Sequence, residues 1–410
     1  MKILHTADWH LGKKLGNFSR LEEQKEVLQE ICEIAEQEKV DAVLVIGDLY
    51  DTFNPPTEAV QLLYKTLKQL TRNLTCPVIA IAGNHDSPDR IDAPEPLALE
   101  CGIFMFGYPM STTEKIDLGT SNVQILTTDK GFLELKLNDT IPPLRIIHTP
   151  YANELRLKQY LGVENREDNL REILSAHWKE LAEKYCDNKG VNVLLTHLFV
   201  INKGEPEKDE NLWEEKSILH IGGAQAIYTE QIPHQIDYVG LGHLHRCHSV
   251  ADSPCPIVYS GSPLMYSFGD KAEDKYVIII ETTEIEGKTT LTYTKKPLTK
   301  GKKLLRKSIE GIEKSLEWLK ENENAIVELT ITTPDFLTAQ EKQMLINAHK
   351  NLHTLSSYIT SKEEQGVKLE EGKMNKDIED LFKEYYKVKK QSTPSDSLMD
   401  LFRELLGKAD

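Results

Sequence analysis

Five short apolar runs along the first 245 residues each stop at a cluster of polar side chains, and no other feature narrows the possible folds as much. Residues 2–5 run toward Asp8-Trp9-His10, and 40–46 into Gly47-Asp48-Leu49-Tyr50-Asp51. Residues 77–82 run into Gly83-Asn84-His85-Asp86, 191–195 into Thr196-His197, and 236–241 into Gly242-His243-Leu244-His245. Short, continuous apolar runs bounded by turn residues read as strands buried on both faces. Between the first three lie helical stretches. One is 21–38, with Leu21, Leu28, Ile31, Ile34 and Ala35 at roughly helical spacing, and the other is 57–70 after Pro55-Pro56. Strand, helix, strand, helix, strand predicts an α/β fold with a mainly parallel inner sheet. In such sheets active sites form outside the carboxyl ends of the strands, which is where all five clusters fall.

Further along, 123–128, 132–137 and 144–148 read as strands, 166–185 as a helix, and the highly charged 203–216 as a surface loop. After about Gly269 the texture changes. Residues 276–281 and 289–293 pattern like an exposed antiparallel sheet, 309–319 like a helix, and 325–332 like another strand, together predicting a smaller α+β domain. From about Lys373 two amphipathic helices follow, split by Ser392-Thr393-Pro394. Their apolar positions are Ile378, Leu381, Phe382 and Tyr385, then Leu398, Leu401, Phe402 and Leu405. The expected division is 1–268, 269–365 and 366–410.

The clusters offer Asp, His and Asn side chains and no Cys, a donor set suited to a borderline-hard divalent ion such as Mn²⁺, Fe²⁺ or Zn²⁺. Asp8, His10, Asp48, Asn84, His197, His243 and His245 are too many ligands for one ion. They suit two ions sharing a bridging carboxylate, with Asp48 well placed to bridge. Taken singly, an Asp-X-His is a capped turn, a Gly-Asp a turn, and a His after a strand a hydrogen-bonded core histidine. Gly-His-X-His is stronger, because side chains alternate along an extended segment and its two imidazoles share a side. Five clusters in this order, each at a strand exit, are not a chance arrangement.

Composition adds exclusions. With 40% hydrophobic and 28% charged residues the chain is ordinary globular material. No run approaches the ~18 apolar residues of a membrane span, and the opening residues do not resemble a signal peptide. Six scattered cysteines without a close CxxC pair argue against structural zinc and a disulfide scaffold, and fit reduced thiols in a cytoplasmic protein. Lys+Arg 49 against Asp+Glu 65 leaves −16, which by itself would not steer the chain to DNA. A metal site or a partner protein can supply the missing positive charge.

The motifs, in this order, resemble the calcineurin-like metallophosphoesterase superfamily and, within it, the double-strand-break repair nucleases, the SbcD family in bacteria. The narrower likeness is carried by Ile3-Leu-His-Thr-Ala-Asp-Trp-His-Leu-Gly12, Gly47-Asp-Leu-Tyr-Asp-Thr-Phe-Asn-Pro-Pro56 and Ala82-Gly-Asn-His-Asp-Ser87. It continues through His197-Leu-Phe-Val200, Tyr238-Val-Gly-Leu-Gly-His-Leu-His-Arg246 and Tyr259-Ser-Gly-Ser-Pro263. It is specific over about 1–268 and beyond that is one of layout.

The resemblance implies a β-sandwich flanked by helices, a small α+β capping domain, and C-terminal helices that dock on an SbcC-type ATPase. It assigns Asp8, His10, Asp48 and His245 to one metal, and Asp48, Asn84, His197 and His243 to the other. His85 stays outside the metal shell and touches the scissile phosphate or leaving oxygen, Asp51 orients His85, and Asp86 braces the loop. Thr52 and Asp86 stand where the phosphatases of the superfamily carry Arg and Glu, which favours a diester over a monoester. The implied activity is Mn²⁺-dependent hydrolysis of DNA phosphodiesters, 3′→5′ at double-strand ends and endonucleolytic on hairpins and single strands, in DNA end processing, repair and recombination. ATP hydrolysis falls to the partner, since this chain has no GxxxxGK[ST] loop, and a homodimer through the nuclease domain is implied. Two other readings stand beside it, a stand-alone phosphodiesterase for small diesters and a non-catalytic scaffold for the ATPase. Trp9, Tyr50 and Phe53 border the motifs as core residues or DNA contacts, and Lys13, Lys14 and Arg20 as solvated charge or phosphate contacts. The remaining histidines (His5, His148, His177, His220, His234, His248, His349, His353) read as structural.

Overall fold

The computed structural model describes residues 1–115, 123–158, 161, 166–203, 226–269, 274–285 and 288–359, with 382–383, 386, 394–395, 398–399 and 402 in the tail. The chain first lays down β1 (Lys2–Ala7), α1 (Leu21–Gln37), β2 (Ala42–Ile46), α2 (Thr57–Leu70), β3 (Val78–Ile81) and β4 (Ile103–Phe106). The four strands lie side by side and parallel, as apolar runs joined by helices must if each crossover covers a face. Next come β5 (Gln124–Asp129), β6 (Phe132–Lys136), β7 (Leu144–Thr149), α3 (Arg166–Tyr185), β8 (Val191–Thr196), β9 (Tyr238–Leu241), β10 (His248–Ala251) and β11 (Ile257–Tyr259). They form a second sheet in the order β10-β11-β9-β8-β7-β6-β5, with β7, β8, β9 and β11 parallel.

The two sheets face each other. Ile3, Leu44, Ile46, Ile79 and Ile81 of the first pack against Leu133, Leu135, Leu144, Ile146, Val193, Leu195 and Val258 of the second. The alternate residues of the first sheet, Leu4, Val43, Val45, Val78 and Ala80, meet Val27, Leu28 and Ile31 of α1 and Leu63, Leu67 and Leu70 of α2. Ile147, Leu194, Val239 and Leu241 of the second meet Leu170, Leu174, Trp178 and Leu181 of α3. This is the sandwich flanked by helices that the family resemblance implies, and its parallel strands β1, β2, β3, β7, β8 and β9 are among those that the apolar runs predict. His5, inside it, is held by the Tyr238 hydroxyl at 2.9 Å and the Leu241 carbonyl at 3.1 Å.

The hairpin of β12 (Lys275–Ile285) and β13 (Lys288–Leu298) differs from the expectation. It lies beyond the boundary read at 268/269, yet β12 pairs antiparallel with β1 and extends the first sheet to β13-β12-β1-β2-β3-β4. The physical reason is the run Val277–Ile280, in which four successive side chains are fully buried and fill both layers beside β1. A separate three-stranded sheet, β14-β15-β16, follows from β14 (Leu304–Glu310), α4 (Ile312–Glu321), β15 (Ile326–Thr333), α5 (Ala339–Ala348) and β16 (Leu352–Ile359). At the start of α5 the Thr338 hydroxyl accepts from the Glu341 amide at 3.2 Å while the Glu341 carboxylate accepts from Thr338 N at 2.7 Å.

The chain divides into two compact units, 1–331 with 338–357, and 332–337 with 358–410. Most of the expected tail helices and of the charged stretch after 203 lie outside the described residues. Within the second unit the Phe382 and Phe402 rings stack 4.0 Å apart and Met399 is buried. All six cysteines are free. Among the described residues no helix is long and apolar enough to cross a membrane.

Candidate metal centre

Each expected ligand sits one to four residues past the end of a parallel strand: Asp8 and His10 after β1, Asp48 after β2, Asn84 after β3, His197 after β8, His243 and His245 after β9. The exits are tight. Asp8, His10, Asp48 and His243 carry φ of 54°, 45°, 45° and 100°, a left-handed backbone that non-glycine residues keep only where their surroundings enforce it. The enforcement is visible in the bonds between exits. Asp8 N donates to Gly47 O (3.1 Å), His10 N to Asp48 O (2.8 Å), and His243 N to Asp8 Oδ1 (2.9 Å). Gln24 of α1 accepts from Gly12 N at 3.0 Å and donates to His10 O at 2.8 Å. Two glycines are dictated by space. A Cβ on Gly47 (φ +78°) would lie 1.9 Å from His197 Nδ1, and one on Gly83 would lie 2.1 Å from Asp48 N.

Asp48 is central. Its Oδ2 lies 3.5 Å from His10 Nε2 on one side and 3.3 Å from His197 Nε2 on the other. His10 Nε2 is 3.0 Å from His245 Nε2. Asn84 Oδ1 lies 3.2 Å from His197 Nε2 and 3.0 Å from His243 Nδ1. Two clusters, Asp8/His10/His245 and Asp8/Asp48/His197, each bring their donor atoms within 4.8 Å of one another, and all seven expected ligands thus share one site. Asp8, His10, Asp48 and His197 form a buried floor, while Asn84, His85, His243 and His245 are half-buried at its mouth.

The charges follow from this packing. Burial pushes Asp48 up, but the neighbouring His197 and His10 outweigh it and hold the carboxyl well below the usual carboxylate range. Burial lowers His197, but Asp48 and Asp8 outweigh it and raise the imidazole to about 9. Burial, then His197, brings His243 down to about 3, and burial with His10 beside it depresses His245. Hence His243 and His245 offer free lone pairs at neutral pH, and the buried anionic charge attracts a proton to His197 where a cation is lacking. Convergent imidazole, carboxylate and amide donors with no thiolate fit divalent metal ions.

The remaining expected residues separate. His85 and Asp51 form a third cluster with His10 within 4.8 Å. Asp51 meets His85 through its main chain: His85 Nδ1 donates to the Asp51 carbonyl at 2.8 Å, while the Asp51 carboxylate accepts from Lys13 Nζ at 2.8 Å and lies 3.5 Å from His10 Nδ1. Asp86 accepts from the amides of Leu49, Tyr50 and Gly83 at 3.0, 2.8 and 2.8 Å, which ties the second exit to the third. Trp9 and Tyr50 are core residues, whereas Phe53 is 51% exposed. Arg20 is neither solvated nor free for a phosphate, being fully buried on Glu23 and the Met265 carbonyl.

Sequence reasoning passed over three neighbours of the site. Gln24 is a polar residue on the buried stripe of α1, and that misfit was its signal. Tyr266 sets its ring edge-on to His10 and His245, 5.4 and 6.0 Å between centroids. Arg156 binds the carbonyls of the 83–86 loop, and follows a strand parallel to β8 whose exit has no polar motif.

The calcineurin-like phosphoesterase family profile matches residues 1–247. The chain is similar to the SbcD subunit of the SbcCD nuclease of Bacillus subtilis, 32% identical over 414 residues that span 99% of this chain and 97% of that protein. It is likewise 32% identical over 294 residues to the SbcD subunit of the Staphylococcus epidermidis SbcCD nuclease, spanning 70% of this chain and 68% of that one. A profile match over more than half the chain and a near full-length relative agree, and the chain belongs to the calcineurin-like phosphoesterases and, within them, to the SbcD family of nuclease subunits.

Proposed function

We propose that this chain is the metal-dependent nuclease subunit of an SbcC–SbcD-type complex and hydrolyses DNA phosphodiesters at the β1/β2/β3/β8/β9 edge. The observation that carries the reading is the position of Asp48, whose one carboxylate oxygen lies within 3.5 Å of an imidazole on either side, as a carboxylate shared by two ions requires. Asp8, His10, Asp48 and His245 would hold one ion, and Asp48, Asn84, His197 and His243 the other, with Mn²⁺ the favoured metal. When bound, the pair supplies an activated water and neutralises charge on an in-line diester displacement. The chain's own residues do the rest. His197 Nδ1 donates to the Ile46 carbonyl at 3.0 Å, which fixes its ring with Nε2 toward the centre. His85 Nδ1 is committed to the Asp51 carbonyl, so Nε2 is the atom that carries or releases a proton. Protonated there, His85 donates to the departing 3′ oxygen. Asp51 is a positioning residue in this scheme, acting through its carbonyl.

By family, the activity would be a 3′→5′ exonuclease on double-strand ends and an endonuclease on hairpins and single strands, working with an SbcC-type ATPase in DNA end processing, repair and recombination. The partner's basic surface would compensate the −16 of this chain. Docking through residues 366–410, homodimerisation through the nuclease domain, and a cytoplasmic location at the nucleoid complete the reading. Phe53, exposed two residues beyond Asp51, is the aromatic available to a DNA strand. The test is cleavage of end-labelled duplex and hairpin DNA with Mn²⁺ and with EDTA, alone and with an SbcC-type partner and ATP. Mn²⁺-dependent cleavage is expected. Brisk hydrolysis of a small chromogenic diester without any DNA cleavage would leave a stand-alone phosphodiesterase, and binding of the partner without any hydrolysis a scaffold.

A further inference from the structure

Beyond the seven ligands and His85, one buried cation touches the site from behind. Arg156 lies in a short helix, Glu154–Leu157, just past the end of β7, and is 6% exposed. Its Nη1 donates to Gly83 O at 2.8 Å, and its Nη2 to Asp86 O at 2.7 Å and Asn84 O at 3.3 Å. One guanidinium thus binds three carbonyls of the loop that bears Asn84 and His85. The placement is secured from its own side. Asn153 Oδ1 accepts from Arg156 N at 2.8 Å, Tyr151 N donates to Ala82 O at 2.9 Å, and the Tyr151 ring lies 5.1 Å from the guanidinium carbon.

The peptide unit joining Asn84 to His85 shows what this does. Its carbonyl faces Arg156, and its N–H donates to Asp48 Oδ1 at 2.8 Å. A guanidinium at the oxygen end polarises the peptide, so the N–H end binds the Asp48 carboxylate more firmly. The same contact sets the direction of the Asn84 and His85 side chains, because three anchored carbonyls leave the loop little rotation. A buried guanidinium is costly to desolvate, and among the described residues no carboxylate is hydrogen-bonded to it in compensation. Its worth lies in the loop it holds.

We infer that Arg156 is a positioning residue of the metal centre, acting on Asp48 through the Asn84–His85 peptide and on Asn84 and His85 through their main chain. The inference rests on the metal roles proposed above for Asp48 and Asn84. Partners of this kind change metal affinity by about 10–100-fold when removed.

The experiment is calorimetric Mn²⁺ binding to the purified chain, wild type, Arg156→Met, Arg156→Lys and Arg145→Met. Arg145 is the control, a buried guanidinium at the other end of the same strand, paired with Glu134 and Asp187 and remote from the site. Arg156→Met is expected to weaken Mn²⁺ binding about 10–100-fold, Arg156→Lys to weaken it less, and Arg145→Met to leave it within twofold of wild type. Equal losses in Arg156→Met and Arg145→Met would overturn the inference, since general loosening would then explain both. Wild-type affinity in Arg156→Met would overturn it directly. If Arg156→Met does not fold, Arg156→Lys decides, and an affinity within twofold of wild type counts against the inference. A wild-type chain that takes up no Mn²⁺ would instead refute the metal reading on which it rests.

Discussion

Asp48 and His85 are joined by one hydrogen bond, His85 N to Asp48 Oδ1 at 2.8 Å, yet the proposed function gives them opposite roles. The Asp48 side chain meets candidate ligands of both proposed ions, whereas His85 is fixed by a carbonyl, and the proposed mechanism gives its other nitrogen to the substrate. Asp48→Asn is therefore expected to weaken Mn²⁺ binding by more than about 100-fold, since a shared ligand must count for more than an outer-sphere partner. His85→Gln is expected to bind Mn²⁺ as wild type does while cleaving DNA about 10²–10⁴-fold more slowly. Calorimetry and single-turnover cleavage on the same preparations separate the two. His148 makes a different prediction. It is fully buried, stacked 3.6 Å from Phe106 of the facing sheet, and burial with His177 nearby brings it down to about 3. Its unfolded pKa near 6.5 is higher, so the unfolded chain binds the extra proton. That stability is complete above pH 6.5 and drains as pH falls toward 3. Denaturant unfolding of His148→Phe across this window is expected to show a shallower loss than wild type. The candidate ligands could be picked out because each stands just past an apolar run. The Asp51 carbonyl and Arg156 were not, since a main-chain acceptor leaves no trace in residue identity and Arg156 follows a strand without a polar motif.

At the level of elements, the parallel strands β1, β2, β3, β7, β8 and β9 and the helices that cover them were readable because an apolar run of four to seven residues has few other uses. The parallel strands β4 and β11 went unread. The two strands of the hairpin Lys275–Leu298 were read as an antiparallel pair, but their place in the first sheet was not. Its first strand carries Val277–Ile280 in the same pattern as the core strands, but antiparallel pairing to β1 joins residues some 275 positions apart, which local pattern does not encode. Four fully buried aliphatic side chains at about 1.5–3 kcal/mol each amount to roughly 6–12 kcal/mol, on the order of a whole domain's stability. Deleting 275–298 is accordingly expected to abolish soluble, cooperatively folding protein, with circular dichroism and size exclusion as the check. A deletion that melts cooperatively like the full chain would contradict the place given to this hairpin.

For the molecule as a whole, folding and metal binding are linked, because donors from five strand exits in two sheets meet only in the folded chain. At a Mn²⁺ concentration of 100 times Kd the folded state gains about 2.7 kcal/mol. Thermal melts should show that gain, its reversal by EDTA, and its absence in Asp48→Asn. Net charge, by contrast, pointed away from DNA, and only the local chemistry of the strand exits and the family likeness outweighed it. The most direct test of the centre is anomalous diffraction at the manganese edge from crystals of the chain grown with Mn²⁺. Two peaks sharing the Asp48 carboxylate are expected, one also on Asp8, His10 and His245, the other on Asn84, His197 and His243, with His85 bound to neither. A single peak, or a His85 nitrogen ligated to manganese, would contradict a two-ion centre bridged by Asp48.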